Sequence, residues 1–553
     1  MTVSFIRKGL PLVMAAVLLF LAAPLYAADD DLRIIEVKKF VIAGNVEVSE
    51  AEIERAIAEF KVKKEWETKK FYTIADLKAV ADAITAYYHS KGMMLARAYV
   101  PAQQVDTAIV TIAVLEGNLG TLNVSATMPE GVGKGDMNLD YYSPRYVMDW
   151  FDEFEGKVVS EDEIESAVLL ANRTPGLHTR AVLSKGEEPG STDVLISAED
   201  KTPVSLTLEY NNYGNKEISR DRYGAYLSLT DPFIGSTFSG TYFVGNPSDS
   251  TTYMGIDYSI PVADSGTRVG VRYIKADYIV GEGPMVDLGI EGKSDIFGGY
   301  ISHPFIVKRL TNFTVTLGYD RKHMFEYVLK EQLTNDDLAV GYLRFDYDRI
   351  DSYNGKTIFS LTYSHGFPDF AGSLPDVKED PNQSRLGANG EFEKASVDIA
   401  RIQRAGNVLL LLKLAGQFSA ERLVTPEMFA IGGPGSVRGY NVATCLGDAG
   451  YAATFEVTAP LIPFSGNWSL WGFRVGDMLR IAAFADNGGV RRNNLYAGEN
   501  KNDDLTGVGV GLRIDLFDRI EATGDVAAPV RSRSIRSDDR IYTVMARLKL
   551  LKF

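Results

Sequence analysis

The sequence predicts a transmembrane β-barrel of 16 antiparallel strands preceded by two small α+β modules. Three observations predict it. Beyond the first 27 residues, no apolar stretch is long enough for a membrane-spanning helix. From Thr202 onward, segments of about ten residues alternate apolar and polar side chains, as strands between lipid and a polar lumen do. The connections between these segments alternate short and long, matching barrels with tight turns on one side of the membrane and long loops on the other.

The N-terminus reads as a secretory signal peptide over residues 1–27. Arg7 and Lys8 form a basic start, Leu10 to Leu21 is apolar, and small residues at Ala22, Ala23, Ala27 and Ala28 precede Asp29 to Asp31. Cleavage is expected after Ala27, and no cysteine stands there to carry a lipid. The whole chain has 58 Lys and Arg against 73 Asp and Glu, so losing Arg7 and Lys8 with the leader leaves a net charge of −17. So acidic a chain is no match for nucleic acid. The single cysteine, Cys445, excludes an intramolecular disulfide framework.

Residues 28–117 form the first module. A strand over Val37 to Ile42 leads to Gly44-Asn45, and Ser49 with Glu52 makes a capping box. Ile53, Ala56, Ile57 and Phe60 then share one helical face. A second helix begins near Thr73, with Leu77, Val80, Ala81, Ile84 and Tyr87 inward, and stops at Gly92. Strands follow at Leu95 to Val100 and Ala108 to Leu115. Residues 118–200 repeat the order: a strand near Gly120 to Ala126, helices started by Ser143-Pro144 and Ser160, and strands at Thr179 to Ser184 and Asp193 to Ala198.

Residues 201–553 are the barrel. Alternating segments start near 204, 222, 236, 251, 266, 293, 310, 337, 355, 394, 406, 450, 478, 506, 519 and 540. Connections after even-numbered segments are mostly short, such as Asp231 to Gly235 and Phe517 to Arg519. Those after odd-numbered segments run longer, including Ala276 to Gly292, Arg321 to Asp336, Gly366 to Asn389 and Gly488 to Asp504. Short turns face the periplasm in such barrels, so the modules lie there and residues 421–449 form the sixth outer loop.

That loop carries Ile431 to Tyr440, four glycines and a proline around Arg438. A guanidinium binds carboxylates bidentately and stays charged. On the thirteenth segment Leu479, Ile481, Ala483 and Ala485 alternate with Arg480, Ala482, Phe484 and Asp486, which puts Asp486 in the lumen as a partner for Arg438. Glu456 on the twelfth segment also faces inward and is the rival partner. Gly507, Gly509 and Gly511 line the luminal face of the next segment, opposite Val508, Val510 and Leu512, and leave room for a second backbone. Catalysis has no constellation here: the five histidines lack metal-ligand spacing, and no nucleotide loop or nucleophile elbow is present. No cofactor or metal is expected.

With Phe40-Val-Ile-Ala-Gly-Asn45 and Val110-Thr-Ile-Ala-Val-Leu-Glu-Gly117 in the first module, Asn172-Arg-Thr-Pro-Gly176 and Pro189-Gly-Ser-Thr-Asp193 in the second, Val437-Arg-Gly-Tyr440 in the loop and Phe484-Ala-Asp-Asn-Gly488 on the thirteenth strand, the chain resembles the two-partner secretion transporters, the TpsB family. The resemblance implies that the modules are polypeptide-transport-associated (POTRA) domains. It implies that the sixth loop folds back into the lumen, with Val437, Arg438, Gly439 and Tyr440 as its motif and Asp486 as the partner of Arg438. It implies export of one large TpsA-type exoprotein across the outer membrane without nucleotide, captured unfolded by the modules. Its other implied partners are outer-membrane lipids and the barrel assembly machinery that inserts it. Many members carry a plug helix before the first module; only about eight residues lie between the expected cleavage site and the first strand, so none is expected here. The alternatives are an insertase for other barrel proteins and a passive porin-like channel, which would carry no periplasmic modules.

Overall fold

A computed structural model describes residues 35–551 except 46–47, 92–95, 102, 104, 106–107, 116–117, 120–138, 153–160, 186–190, 263–264, 377–381, 462–467, 471–472, 496–497 and 533–541. The signal peptide and the strand expected near Gly120 to Ala126 lie outside the described residues. The described chain divides into two units, residues 35–120 with 185–193, and the remainder.

In the first unit, helices α1 (Glu50–Lys63) and α2 (Ile74–Ser90) start where their caps dictate. The Glu52 carboxylate accepts from the Ser49 amide, and Thr73 and Asp76 satisfy each other's amides. Ile53 and Ile57 on α1, and Leu77, Val80, Ala81, Ile84 and Tyr88 on α2, bury one stripe of each helix. Tyr88, four residues after Ile84, takes the core position expected of Tyr87, which packs at its margin. The stripes cover a sheet with the central strand Ile109–Leu115 flanked by Lys39–Ala43, parallel, and Arg97–Tyr99, antiparallel.

The second unit contains a closed barrel of 16 strands, paired in chain order and antiparallel throughout. They are β1 Val204–Asn211, β2 Arg222–Thr230, β3 Thr237–Gly245, β4 Thr251–Pro261, β5 Arg268–Ile279, β6 Glu291–Val307, β7 Thr311–Val328 and β8 Glu331–Ile350. The second half comprises β9 Gly355–Gly366, β10 Phe392–Ala405, β11 Val408–Ser419, β12 Ala449–Pro460, β13 Leu479–Arg491, β14 Asn502–Leu516, β15 Ile520–Ser532 and β16 Tyr542–Leu551. Strand β16 closes on β1 with Leu548 opposite Leu208. Inward tyrosines lie flat over glycines of the neighbouring strand: a Cβ on Gly270 would sit 2.3 Å from the Tyr300 ring, and one on Gly318 2.2 Å from Tyr342. Glycine at these places leaves the ring against the wall instead of across the lumen.

One expected outer loop is absent. Arg321 to Asp336 is not a connection, because β7 and β8 run on to a two-residue turn at Leu329-Lys330 with φ of 52° and 68°. This is the backbone of a twist-matched hairpin turn. The sequence looked like a loop because Arg321, His323 and Asp337 point outward and ion-pair beyond the apolar band, where a strand no longer needs lipid-facing residues.

The helices α3 (Pro144–Asp149) and α4 (Glu161–Ala171) pack against the turns that follow β2, β4 and β6. A Cβ on Gly235 would meet the Tyr146 hydroxyl at 2.1 Å, and one on Gly266 would meet Leu170 at 2.5 Å. Ser166 donates to the Val307 carbonyl at 3.1 Å. Ser143 caps α3 by accepting from the Tyr146 amide, with Pro144 at the first helical position. These short turns therefore share one end of the barrel with the helical module, and the sixth loop opens at the other end.

The alternation fixes which face tolerates charge. Leu412 on β11 faces lipid, whereas Thr362 on β9 faces the lumen in phase with Ser364, the partner of luminal Lys394. Leu412→Arg is expected to lose about 2–4 kcal/mol of barrel stability in urea titrations of the folded protein in bilayers, and Thr362→Arg far less.

Candidate functional site

The sixth loop is itself a hairpin. Phe429–Ile431 pairs with Cys445–Gly447, so the chain enters and leaves the lumen as a two-stranded ribbon. Its tip is stiffened from within: the Gly432 amide donates to Ser436 Oγ at 2.9 Å, and the Gly433 amide to the Val437 carbonyl at 3.0 Å. Gly432, Gly433 and Gly439 have φ of 108°, 91° and 95°, a region that side chains with a Cβ rarely enter. These glycines bend the tip back onto the wall.

There Arg438 is 7% exposed and Asp486 1%. Arg438 Nε donates to Asp486 Oδ2 at 2.7 Å and Nη2 to Oδ1 at 2.9 Å, a bidentate fork, while the Arg438 amide reaches the same Oδ2 at 3.1 Å. Nη1 donates to Glu456 at 2.9 Å and to Asp525 at 3.3 Å. The guanidinium lies over the Phe484 ring, 3.3 Å from its centroid, so its face is covered as well as its edge. Arg513 closes the cluster, donating to both Glu456 oxygens at 2.9 Å and to Asp525 at 2.6 Å. Two guanidiniums thus neutralise most of the charge of three carboxylates on β12, β13 and β15.

Asp486 and Glu456 are not rivals: both bind Arg438, and Asp486 makes three of its five bonds. The three glycines also divide their work. A Cβ on Gly507 would lie 1.9 Å from the Arg438 carbonyl, so this glycine does admit the loop backbone. A Cβ on Gly509 would strike the Phe484 ring at 2.4 Å, and one on Gly511 the Asp525 carboxylate at 2.0 Å. Neither meets the loop: Gly509 also lies against the Val526 carbonyl of β15, 2.2 Å from its virtual Cβ, and Gly511 against the Arg513 guanidinium. Gly439 approaches the β15 backbone, 3.1 Å from its virtual Cβ to Pro529 N, and a bulge at Thr506/Gly507 opens the wall there. The Tyr440 hydroxyl donates to the Thr506 carbonyl at 3.0 Å, and Val437 is fully buried.

Arg513 and Asp525 were missed by sequence reasoning. Arg513 sits on the same polar face as the three glycines, and Asp525 pairs across the strands with Gly511. Both positions were readable as inward, but no motif marks them. Cys445 packs beside Val437, Tyr440 and Leu505, and burial pushes its thiol up to about 12. Among the described residues no group of acidic, histidine or cysteine side chains could hold a metal ion.

Residues 190–514 match the family described as haemolysin secretion/activation protein ShlB/FhaC/HecB, and residues 35–117 match the ShlB-type POTRA domain. The chain is 24% identical over 417 residues to the heme/hemopexin transporter protein HuxB of Haemophilus influenzae, covering 72% of this chain and 68% of the relative. It is 24% identical over 472 residues to the outer membrane transporter CdiB of Escherichia coli, covering 82% and 72%. The solved structure of CdiB from Escherichia coli superposes with a TM-score of 0.64 at 20% identity, over 95% of this chain and 92% of that one. BamA from Haemophilus ducreyi lacking POTRA domains 1–3 superposes at 0.56 and 12% identity, over 93% and 100%. These likenesses show the fold.

Removing one partner from so buried a cluster strands charge, so Arg438→Ala is expected to destabilise the loop's docked state by about 3–5 kcal/mol. Double-mutant cycles should give Arg438 a larger coupling to Asp486 than to Glu456 or Asp525, since Arg513 still serves the latter two. The readout is Cys445: a maleimide at pH 8 should leave the native thiol unmodified and label it in Arg438→Ala and in Gly507→Val.

Proposed function

The chain belongs to the haemolysin secretion/activation protein family (ShlB/FhaC/HecB), and from that membership we propose how it moves its substrate. As a member it is an outer-membrane transporter of a Gram-negative bacterium that exports a partner exoprotein by two-partner secretion. We assign residues 28–117 and 118–200 as its two periplasmic POTRA modules and residues 1–27 as the export signal.

The substrate is a TpsA-type exoprotein that arrives unfolded. A sheet edge of the first module, Lys39–Ala43 or Arg97–Tyr99, receives an extended segment by backbone pairing. The segment then passes through the barrel lumen, and folding outside gives the movement its direction without nucleotide. The chain is a conduit and not an enzyme, inserted into the membrane by the barrel assembly machinery. The observation that carries this reading is the sixth loop lodged in the lumen through Arg438 and Asp486, since a loop held inside a conduit governs passage.

Export by Arg438→Ala tests it. Cells expressing the variant with its exoprotein should release less than about a tenth of the wild-type amount, the loss that roughly 1.4 kcal/mol produces. The variant barrel should still reach the outer membrane. Wild-type export by a stably inserted Arg438→Ala chain would remove the site from the mechanism, and loss of other barrel proteins from the membrane would favour the insertase.

A further inference from the structure

Near its outer end the inner face of the barrel turns apolar from β7 to β10. Val340 on β8 pairs with Gly366 on β9, which pairs with Phe392 on β10, in phase with luminal Lys394. Leu338 pairs with Lys322 on β7, and Met324 is in phase with Lys322. The interior of such a barrel is polar, so an apolar inner patch needs a cover. Leu374 and Ala388 of the fifth outer loop, between β9 and β10, and Leu423 and Val424 of the sixth supply it, none more than 6% exposed.

The described residues of the fifth loop, 367–376 and 382–391, are held from two directions. Strand β8 outruns β9, whose last pair is Gly366 with Val340, and leaves an edge at residues 335–339. The loop pairs with that edge. The Phe367 amide donates to the Ala339 carbonyl at 2.8 Å, the Leu374 amide to the Asp337 carbonyl at 2.7 Å, and the Asn335 amide to the Asn382 carbonyl at 2.6 Å. On its other side the loop meets the root of the sixth, residues 422–427. Arg385 donates to the Asp448 carboxylate and to the Leu423 carbonyl, the Thr425 amide donates to Ser384 Oγ at 3.0 Å, and Arg422 donates to the Leu386 carbonyl at 2.7 Å. Asp448, fully buried, also accepts from the amides of Leu423 at 2.8 Å and Asn493 at 2.7 Å. Arg422 forks onto Glu499, so the seventh loop joins the same seam. Glu427 adds its own pairs to Lys322 and Lys394. Segments tied at so many points open together.

We propose that the fifth loop is a second closure of the pore. The tip of the sixth loop occupies the wall from β12 to β15, whereas the fifth loop and the sixth-loop root occupy the outer end of the wall from β7 to β10. An exported polypeptide leaves along β7 to β10 only once the fifth loop lifts from the β8 edge. This rests on the reading of the chain as an exporter whose sixth loop governs passage, and it adds a gate to that reading.

The test uses the full-length chain in planar bilayers without exoprotein, so it stands apart from the export assay. Leu374→Asp combined with Ala388→Asp puts two charges into the apolar cover and leaves every partner of Arg438 in place. Hydrogen exchange of residues 382–391 should quicken about tenfold or more, and time-averaged resting conductance should rise about fivefold or more. Cys445 should stay protected from a membrane-impermeant maleimide, since none of the described residues packed against it belongs to the fifth loop. Wild-type conductance with fast exchange would overturn the proposal, because the loop would have lifted and opened nothing. A rise accompanied by full labelling of Cys445 would also overturn it, since the sixth loop would then be the part that moved. Should this variant fail to insert or leave exchange slow, Arg385→Ala removes the fifth loop's hold on Asp448 and is judged by the same readouts. Slow exchange in both variants would likewise overturn it, because the loop would then be held by something other than this seat.

Discussion

A guanidinium taken out of water must be met on every side, and the bonds of Arg438 set the terms for the structure around it. Its five bonds to three carboxylates, one of them from its own amide, require those carboxylates on β12, β13 and β15, facing inward at one height. Its backbone can come that close only because Gly507 has no side chain. Its own neighbour must turn with φ of 95°, which Gly439 permits. A second arginine, Arg513, offsets the carboxylate excess that one guanidinium would leave. A buried pair of this sort is a poor source of raw stability and a good source of register. Here the register is the position of a loop inside a pore.

The barrel supplies two walls with different duties. From β12 to β15 the inner face carries charge and bare glycine, a bed for a folded loop. From β5 to β8 it carries tyrosines laid over glycines beside the Arg272–Asp320 ion pair. Helices α3 and α4 rest on the turns after β2, β4 and β6, at the end away from the loop. These helices and the sixth loop thus occupy opposite ends of one cylinder. Such a cylinder can pass a chain only if the loop moves, because a closed ladder has no free edge to open without breaking strand pairs.

Much of this was legible in the sequence, for physical reasons. A side chain's face in a strand is fixed by parity, so Asp486 and Glu456 could be placed in the lumen from their neighbours alone. The caps at Thr73 and Ser143 marked helix starts, since each side chain accepts from the amide three residues on, and at Ser49 the Glu52 carboxylate accepts from the cap amide. What failed was distance. Alternation says where a residue points and not how far a strand continues, so Arg321 to Asp336 passed for a loop when its outward charges only mark the end of the lipid band. Parity likewise allowed Glu456 and Asp486 as alternatives; that one guanidinium reaches both depends on the stagger of adjacent strands. Arg513 and Asp525 were readable as inward but not as a pair with Arg438, because their proximity arises only once the sheet is closed.

The central claim is that the loop tip is part of the barrel's interior and not a mobile outer connection. Hydrogen exchange of the peptide spanning Ile431 to Cys445, in the full chain in bilayers, measures this directly. The account predicts slow exchange comparable to β13, since the Arg438 amide is bonded to Asp486 and the Gly432 and Gly433 amides are bonded within the tip. Exchange as fast as that of the exposed third outer loop, residues 280–290, would contradict it.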